Sequence, residues 1–137
     1  MNTHKGFTIV ELLVVMAIIG ILASIILASL SYVQSKSRDT RRIEDLSALQ
    51  NALALYQAGS YRFPIAASAV TITGADSVSE ALITAGAISG LAGDPLSPEY
   101  DYAYQSNALG TDYTITFCLE TDSIPKYAQG CGNEMTP

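Results

Sequence analysis

Glu11 is the only charged residue in an otherwise apolar stretch that runs from Phe7 to Leu30 with no proline and a single glycine, Gly20. As a helix rising about 1.5 Å per residue, that stretch is long enough to cross the roughly 30 Å hydrocarbon core of a bilayer. An ionised carboxylate in such a segment costs roughly 2.5–3.5 kcal/mol at the helix centre and less near an end. The chemistry it offers is pairing with a cation brought to it in a poorly hydrated place. Two further groups have chemical potential. Cys118 and Cys131 are the only cysteines. Asp94, Glu99, Asp101 and Asp112 carry hard oxygens of the kind that ligate Ca²⁺. Their spacing matches no calcium loop, so no cofactor is expected. Nucleophilic or acid–base catalysis has no constellation to support it: the single histidine is His4, and no serine has a base at a readable spacing.

The residues around Glu11 form a recognisable motif. Lys5, then Gly6-Phe7-Thr8-Ile9-Val10-Glu11, resembles the class III signal of type IV prepilins and type II secretion pseudopilins. The resemblance implies cleavage between Gly6 and Phe7 by prepilin peptidase, N-methylation of Phe7 by the same enzyme, and an assembly role for Glu11. It is specific, because a base, Gly, Phe-Thr and a spaced Glu must all open one hydrophobic helix. A signal anchor with an accidental glutamate is the plainer alternative. A cleaved secretory signal fits poorly, since the apolar run is too long and lacks a small-x-small exit.

The spacing has a physical rationale once Gly6 is removed. Phe7 then carries an α-amine with a reference pKa near 7.7–8.0, mostly protonated at neutral pH, and methylation keeps it basic. Glu11 lies about one helical turn on, on the same face. Within one chain the two groups approach each other imperfectly. In a staggered stack of helices, the Phe7 amine of one subunit sits beside Glu11 of another. Each charge gains its opposite, which selects one register among interchangeable apolar contacts.

The elements that position these residues follow from the chain's punctuation. A leader, 1–6, precedes a transmembrane and assembly helix, 7–30, and an exported head, 31–137. No proline interrupts Phe7–Ala58, and Ile43, Leu46, Leu49, Leu53 and Tyr56 recur at helical spacing, so one helix of roughly 78 Å is expected to reach about residue 58. Gly59 and Pro64 suit its C-terminal stop. Ser77-Val78-Ser79-Glu80 has capping-box spacing ahead of a short helix over 78–86. Tyr100, Tyr102 and Tyr104 alternate with smaller or polar residues, as do Tyr113, Ile115, Phe117 and Leu119, which reads as an antiparallel hairpin through Asn107–Asp112. A third strand is expected at Val70–Thr73 or after Pro125. The tyrosines read as one face of a small sheet rather than a carbohydrate-stacking platform. Tyr56-x-x-Gly59-x-Tyr61-x-x-Pro64 and Asp94-Pro95 followed by the Tyr-x-Tyr run also resemble pseudopilin heads.

The net charge is −6, and the signs are segregated. Lys36, Arg38, Arg41 and Arg42 cluster just beyond the apolar run, while Lys126 is the only base after Phe63. An acidic head repels nucleic acid, so none is expected as a partner. The basic cluster reads as a solvated helix face, near lipid headgroups or paired with Asp39, Glu44 and Asp45. By the positive-inside rule it would stay in the cytoplasm, whereas the resemblance implies an exported head. The cysteines favour export: a pair near the end of a small exported domain reads as a disulfide worth roughly 3 kcal/mol, against two reduced thiols in a cytosolic head.

The fold class is therefore α+β: a long N-terminal helix with a small antiparallel sheet, pilin-like. The resemblance implies no enzyme but a structural subunit of a type IV pilus-like filament or type II secretion pseudopilus, in the inner membrane first and then extracellular or periplasmic. Its implied partners are copies of itself, prepilin peptidase, an inner-membrane assembly platform, minor pilins and, before assembly, membrane lipid. The alternative is a monomeric membrane-anchored surface binding domain processed by the same peptidase.

Overall fold

A computed structural model describes residues 6–137, in the order α1 (Ile9–Ser60), β1 (Val70–Thr71), α2 (Ser77–Thr84), β2 (Ala103–Ser106), β3 (Tyr113–Leu119) and β4 (Gly130–Met135). The leader residues 1–5, with His4 and Lys5, lie outside the described residues. The chain divides after Ser35 into two compact units.

In the first unit, α1 is apolar on all sides and leaves its large side chains, from Ile9 to Val33, exposed. Such a helix has no face on which to fold back, because apolarity around the whole circumference suits an apolar solvent or other helices. Among the described residues, α1 is the one helix long and apolar enough to cross a membrane.

The second unit contains the core. Along α1, Leu46, Leu49, Ala52 and Leu53 are buried, and Ile43 and Tyr56 pack against the same cluster, which is the stripe expected from the periodicity. The cover is a single antiparallel sheet in the order β1-β2-β3-β4. Along β3, Tyr113, Ile115, Phe117 and Leu119 are buried and the residues between them are half-buried, as a period of two requires. Both expected sites for a further strand are occupied, by β1 and by β4. Tyr102 and Tyr104 are buried against this core, and Tyr104 stacks on Tyr113 at 5.7 Å. Their hydroxyls donate to Asp45 Oδ2 (3.3 Å) and to the Pro64 carbonyl (2.8 Å), so these rings form no platform for a sugar. Burial raises the pKa of both hydroxyls, and Asp45 and Asp94 raise that of Tyr102 further.

Several local expectations are corrected. The stop of α1 falls at Ser60, and the left-handed residue that follows is Tyr61, at φ 59°, rather than Gly59. The Tyr61 N–H donates to the Gln57 carbonyl at 2.7 Å, closing the last turn. Ser77 does not cap α2. Asp76 does, accepting from the Val78 and Ser79 N–H groups, because its carboxylate reaches two orphan donors and the helix dipole favours its charge. Strand β2 begins at Ala103, so Tyr100 lies outside the sheet.

Candidate processing and assembly site

The motif residues sit where an extended segment becomes a helix. Gly6, Phe7 and Thr8 precede α1 and are exposed, and a side chain at Gly6 would meet nothing within 4 Å. Phe7 is 81% exposed. A side chain at position 6 would therefore meet no obstacle from the described fold. Thr8 and Glu11 bond reciprocally. The Thr8 N–H and hydroxyl donate to Glu11 Oε2 at 2.9 and 2.8 Å, and the Glu11 N–H donates to Thr8 Oγ1 at 3.2 Å. This is a capping box, which fixes the first turn and satisfies donors that the helix leaves unpaired. The Thr-x-x-Glu spacing stood in the sequence. Thr8 thus joins Glu11 as a site residue that the charge argument alone passed over.

The basic cluster is a solvated face only in part: Lys36 and Arg41 are exposed, while Arg38 and Arg42 turn into the head. Arg42 is fully buried. Its Nε and Nη2 donate to Asp94 Oδ2 and Oδ1 at 2.6 and 2.9 Å, and its Nη1 donates to Asp39 Oδ1 at 2.8 Å and Glu120 Oε1 at 2.7 Å. Tyr100 lies beneath the guanidinium, 5.1 Å from ring centre to Cζ. Arg38 grips the same Glu120 through Nε at 2.7 Å and through Nη2. Asp39, also buried, accepts from the Glu120 and Thr121 N–H groups and from the Thr121 hydroxyl at 2.7–2.9 Å. Burial works against the Arg42 charge. The bonds to Asp94, Glu120 and Asp39 outweigh it and hold the guanidinium above its ordinary pKa. Of the expected acidic partners, Asp39 binds Arg42, Asp45 is 3.8 Å from Arg41 and Glu44 is exposed. Asp94 and Glu120 lay too far along the chain for any local spacing to pair them with α1.

Cys118 and Cys131 are joined, across the pairing of β3 with β4. The four carboxylates considered for calcium are dispersed in role. Asp94 is committed to Arg42 and to the Leu96 N–H. Asp112 accepts from its neighbour Tyr113. Glu99 is exposed, and Asp101 Oδ1 is buried with no hydrogen-bond partner. Among the described residues, no group of three or more His, Cys, Asp or Glu side chains is placed to hold a metal.

With this geometry in place, comparison with known proteins adds the decisive observation. The prokaryotic N-terminal methylation motif matches residues 1–27. The chain is similar to pseudopilins and pilins. It is 28% identical to type II secretion system core protein G of Escherichia coli strain K12 over 134 residues, 98% of this chain and 86% of that one. The same protein from Klebsiella pneumoniae is 28% identical over 137 residues, covering 97% and 96% of the two chains. Similarity to the type IV major alpha-pilin of Moraxella bovis is higher, 49%, but spans 53 residues, 39% of this chain and 33% of the pilin. No solved structure matches.

Proposed function

We propose that this chain is a structural subunit of a filament, with no catalytic role, that polymerises through the apolar half of α1. Cleavage between Gly6 and Phe7 and methylation of Phe7 prepare it. Copies of the chain, prepilin peptidase, an inner-membrane platform and minor pilins are its partners, and lipid is its solvent before assembly. The observation that carries this reading is the start of α1: one carboxylate at the head of a helix whose large side chains from Ile9 to Val33 are otherwise apolar and exposed. Nothing in the described chain neutralises Glu11; Thr8 only donates hydrogen bonds to it. A neighbour's Phe7 amine supplies the missing charge.

Between the two filament types, likeness along nearly the whole chain to type II secretion core protein G favours a periplasmic pseudopilus. The Cys118–Cys131 disulfide favours the alternative, an extracellular type IV pilus.

Expression with and without prepilin peptidase, followed by shearing, pelleting and N-terminal mass spectrometry, tests the reading. The expected result is filaments whose subunits begin at methylated Phe7. Glu11→Ala should accumulate as processed monomer in the membrane, because one charge of a buried pair left alone costs roughly 3–5 kcal/mol. Filaments of normal abundance from Glu11→Ala, or an N-terminus elsewhere, would overturn it. Recovery on the cell surface or in the periplasm separates pilus from pseudopilus.

A further inference from the structure

The first turns of α1 in the second unit dock by charge and not by apolar packing. From Lys36 to Asp45, Ile43 is the only apolar residue and it is half-buried. The two fully buried side chains there are Asp39 and Arg42. The first buried apolar residue of α1 is Leu46, and Leu49, Ala52 and Leu53 follow it. The stretch ahead of Leu46 is about 15 Å of helix at roughly 1.5 Å per residue. Its attachments are mainly the bonds of Arg38, Asp39 and Arg42 to the Asp94 segment and to Glu120–Thr121, with Ile43 against the core and the Tyr102 hydroxyl on Asp45 at the end nearer Leu46.

Such an attachment fails differently from an apolar one. Apolar contacts are non-directional and can slide or thin gradually. Arg42 is held through a two-pronged grip on Asp94 together with Glu120, while Asp39, which moves with it on α1, holds the Glu120 and Thr121 N–H groups. A shift of α1 therefore takes all of these cross-links out of hydrogen-bond distance together. Such a shift separates the buried Arg42 from Asp94 and Glu120 in one movement, which is costly for groups held away from water. The five ionised groups therefore hold or release together.

We propose that this network is a latch. It makes Lys36–Asp45, the Asp94 segment and Glu120–Thr121 one cooperative unit that opens as a whole, ahead of and independently of the apolar core that begins at Leu46. When it opens, Lys36–Asp45 parts from the Asp94 segment and Glu120–Thr121 while the sheet and the Leu46–Leu53 stripe stay folded. Load applied along the apolar half of α1 meets this latch first. The inference rests on the network alone and stands whether or not the chain forms filaments.

Hydrogen exchange on the full-length protein in detergent micelles tests it, read by mass spectrometry across a series of low denaturant concentrations. Amides of residues 39–45 should exchange together with those of Glu120 and Thr121 through one opening, at lower denaturant than amides of 49–56 and β3. Exchange of 39–45 only with global unfolding would overturn the proposal. As a second arm, Asp94→Asn keeps the shape but removes a charge. It should speed exchange at 39–45 by more than about tenfold and leave 49–56 unchanged, because the amide offers one acceptor oxygen where the carboxylate offers two and turns an NH2 group toward a buried Arg42 N–H. Equal acceleration throughout, or none at 39–45, would refute a separable latch. If Asp94→Asn does not fold at all, the network belongs to the core and the proposal also fails.

Discussion

Glu11 has one observed set of contacts and one proposed role, and different substitutions separate them. As part of the capping box it accepts from Thr8; in the proposed assembly its carboxylate would meet a cation from a neighbour. Glutamine serves as well as glutamate in a capping box, so Glu11→Gln should keep the onset of α1 at Ile9 and still yield few filaments, like Glu11→Ala. Sheared filaments counted by electron microscopy give the answer, and normal numbers from the glutamine variant would assign the residue to capping alone. Asp76 makes a second residue-scale case. Burial alone would raise its pKa, but the bonds from Ser79 and from the Thr73 N–H outweigh that and hold it below the ordinary 3.8. A depressed carboxylate contributes stability that is present above the unfolded pKa and lost as pH falls through the folded one. Thermal melts of the wild type and Asp76→Asn should therefore differ by a constant amount near neutrality. The gap should close on acidification below about pH 4, the unfolded aspartate value.

At the scale of elements, periodicity made α1, β2 and β3 legible because each buries one face with its own period, 3.6 or 2. The stripe at Leu46, Leu49 and Leu53 and the alternation from Tyr113 to Leu119 could be read directly. The ends were less legible. Tyr61 takes the left-handed position next to an available Gly59, because the positions of Phe63 and Pro64 in the core decide where the chain must turn. β4 offered no pattern at all. Its sequence Gly-Cys-Gly-Asn-Glu-Met has low strand preference, Gly130 and Gly132 have φ near 100°, and only Met135 is buried. Such a strand depends on its disulfide. Cys131→Ser should lower the stability of the head by roughly 3 kcal/mol on the chain-entropy model. Loss of protection should be greatest in β4, measurable by chemical denaturation and hydrogen exchange. The hairpin turn makes a sharper test. Gly110 has φ 66°, and a Cβ there would lie 2.7 Å from the Phe63 carbonyl oxygen. Gly110→Ala should destabilise by at least about 1 kcal/mol from backbone conformation alone, seen as a lower melting temperature with unchanged cysteine pairing.

For the molecule as a whole, the two units have opposite relations to water. The apolar half of α1 was legible from composition, since nothing else explains so long a run with one acid. The head was legible as a class but not in its wiring, because the ion network joins residues far apart in the chain and no local pattern encodes such a meeting. The second unit holds its own core, sheet, disulfide and network. A fragment starting at Lys36 should therefore melt cooperatively as a monomer in aqueous buffer, with near-UV circular dichroism from its buried tyrosines. Absence of a cooperative transition with the disulfide intact would show that the core needs the preceding helix.

The network also has a consequence in time. Of the carboxylates that neutralise Arg42, Asp39 precedes it by three positions, whereas Asp94 and Glu120 lie 52 and 78 positions further along the chain. While the protein is being synthesised, Lys36, Arg38, Arg41 and Arg42 leave the ribosome long before those partners exist. Until then Asp39, Glu44 and Asp45 are the acids within reach of these bases. Once Asp94 and Glu120 arrive, Arg38 and Arg42 are drawn into the head while Lys36 and Arg41 stay exposed, so the wiring of the second unit is completed only late in synthesis.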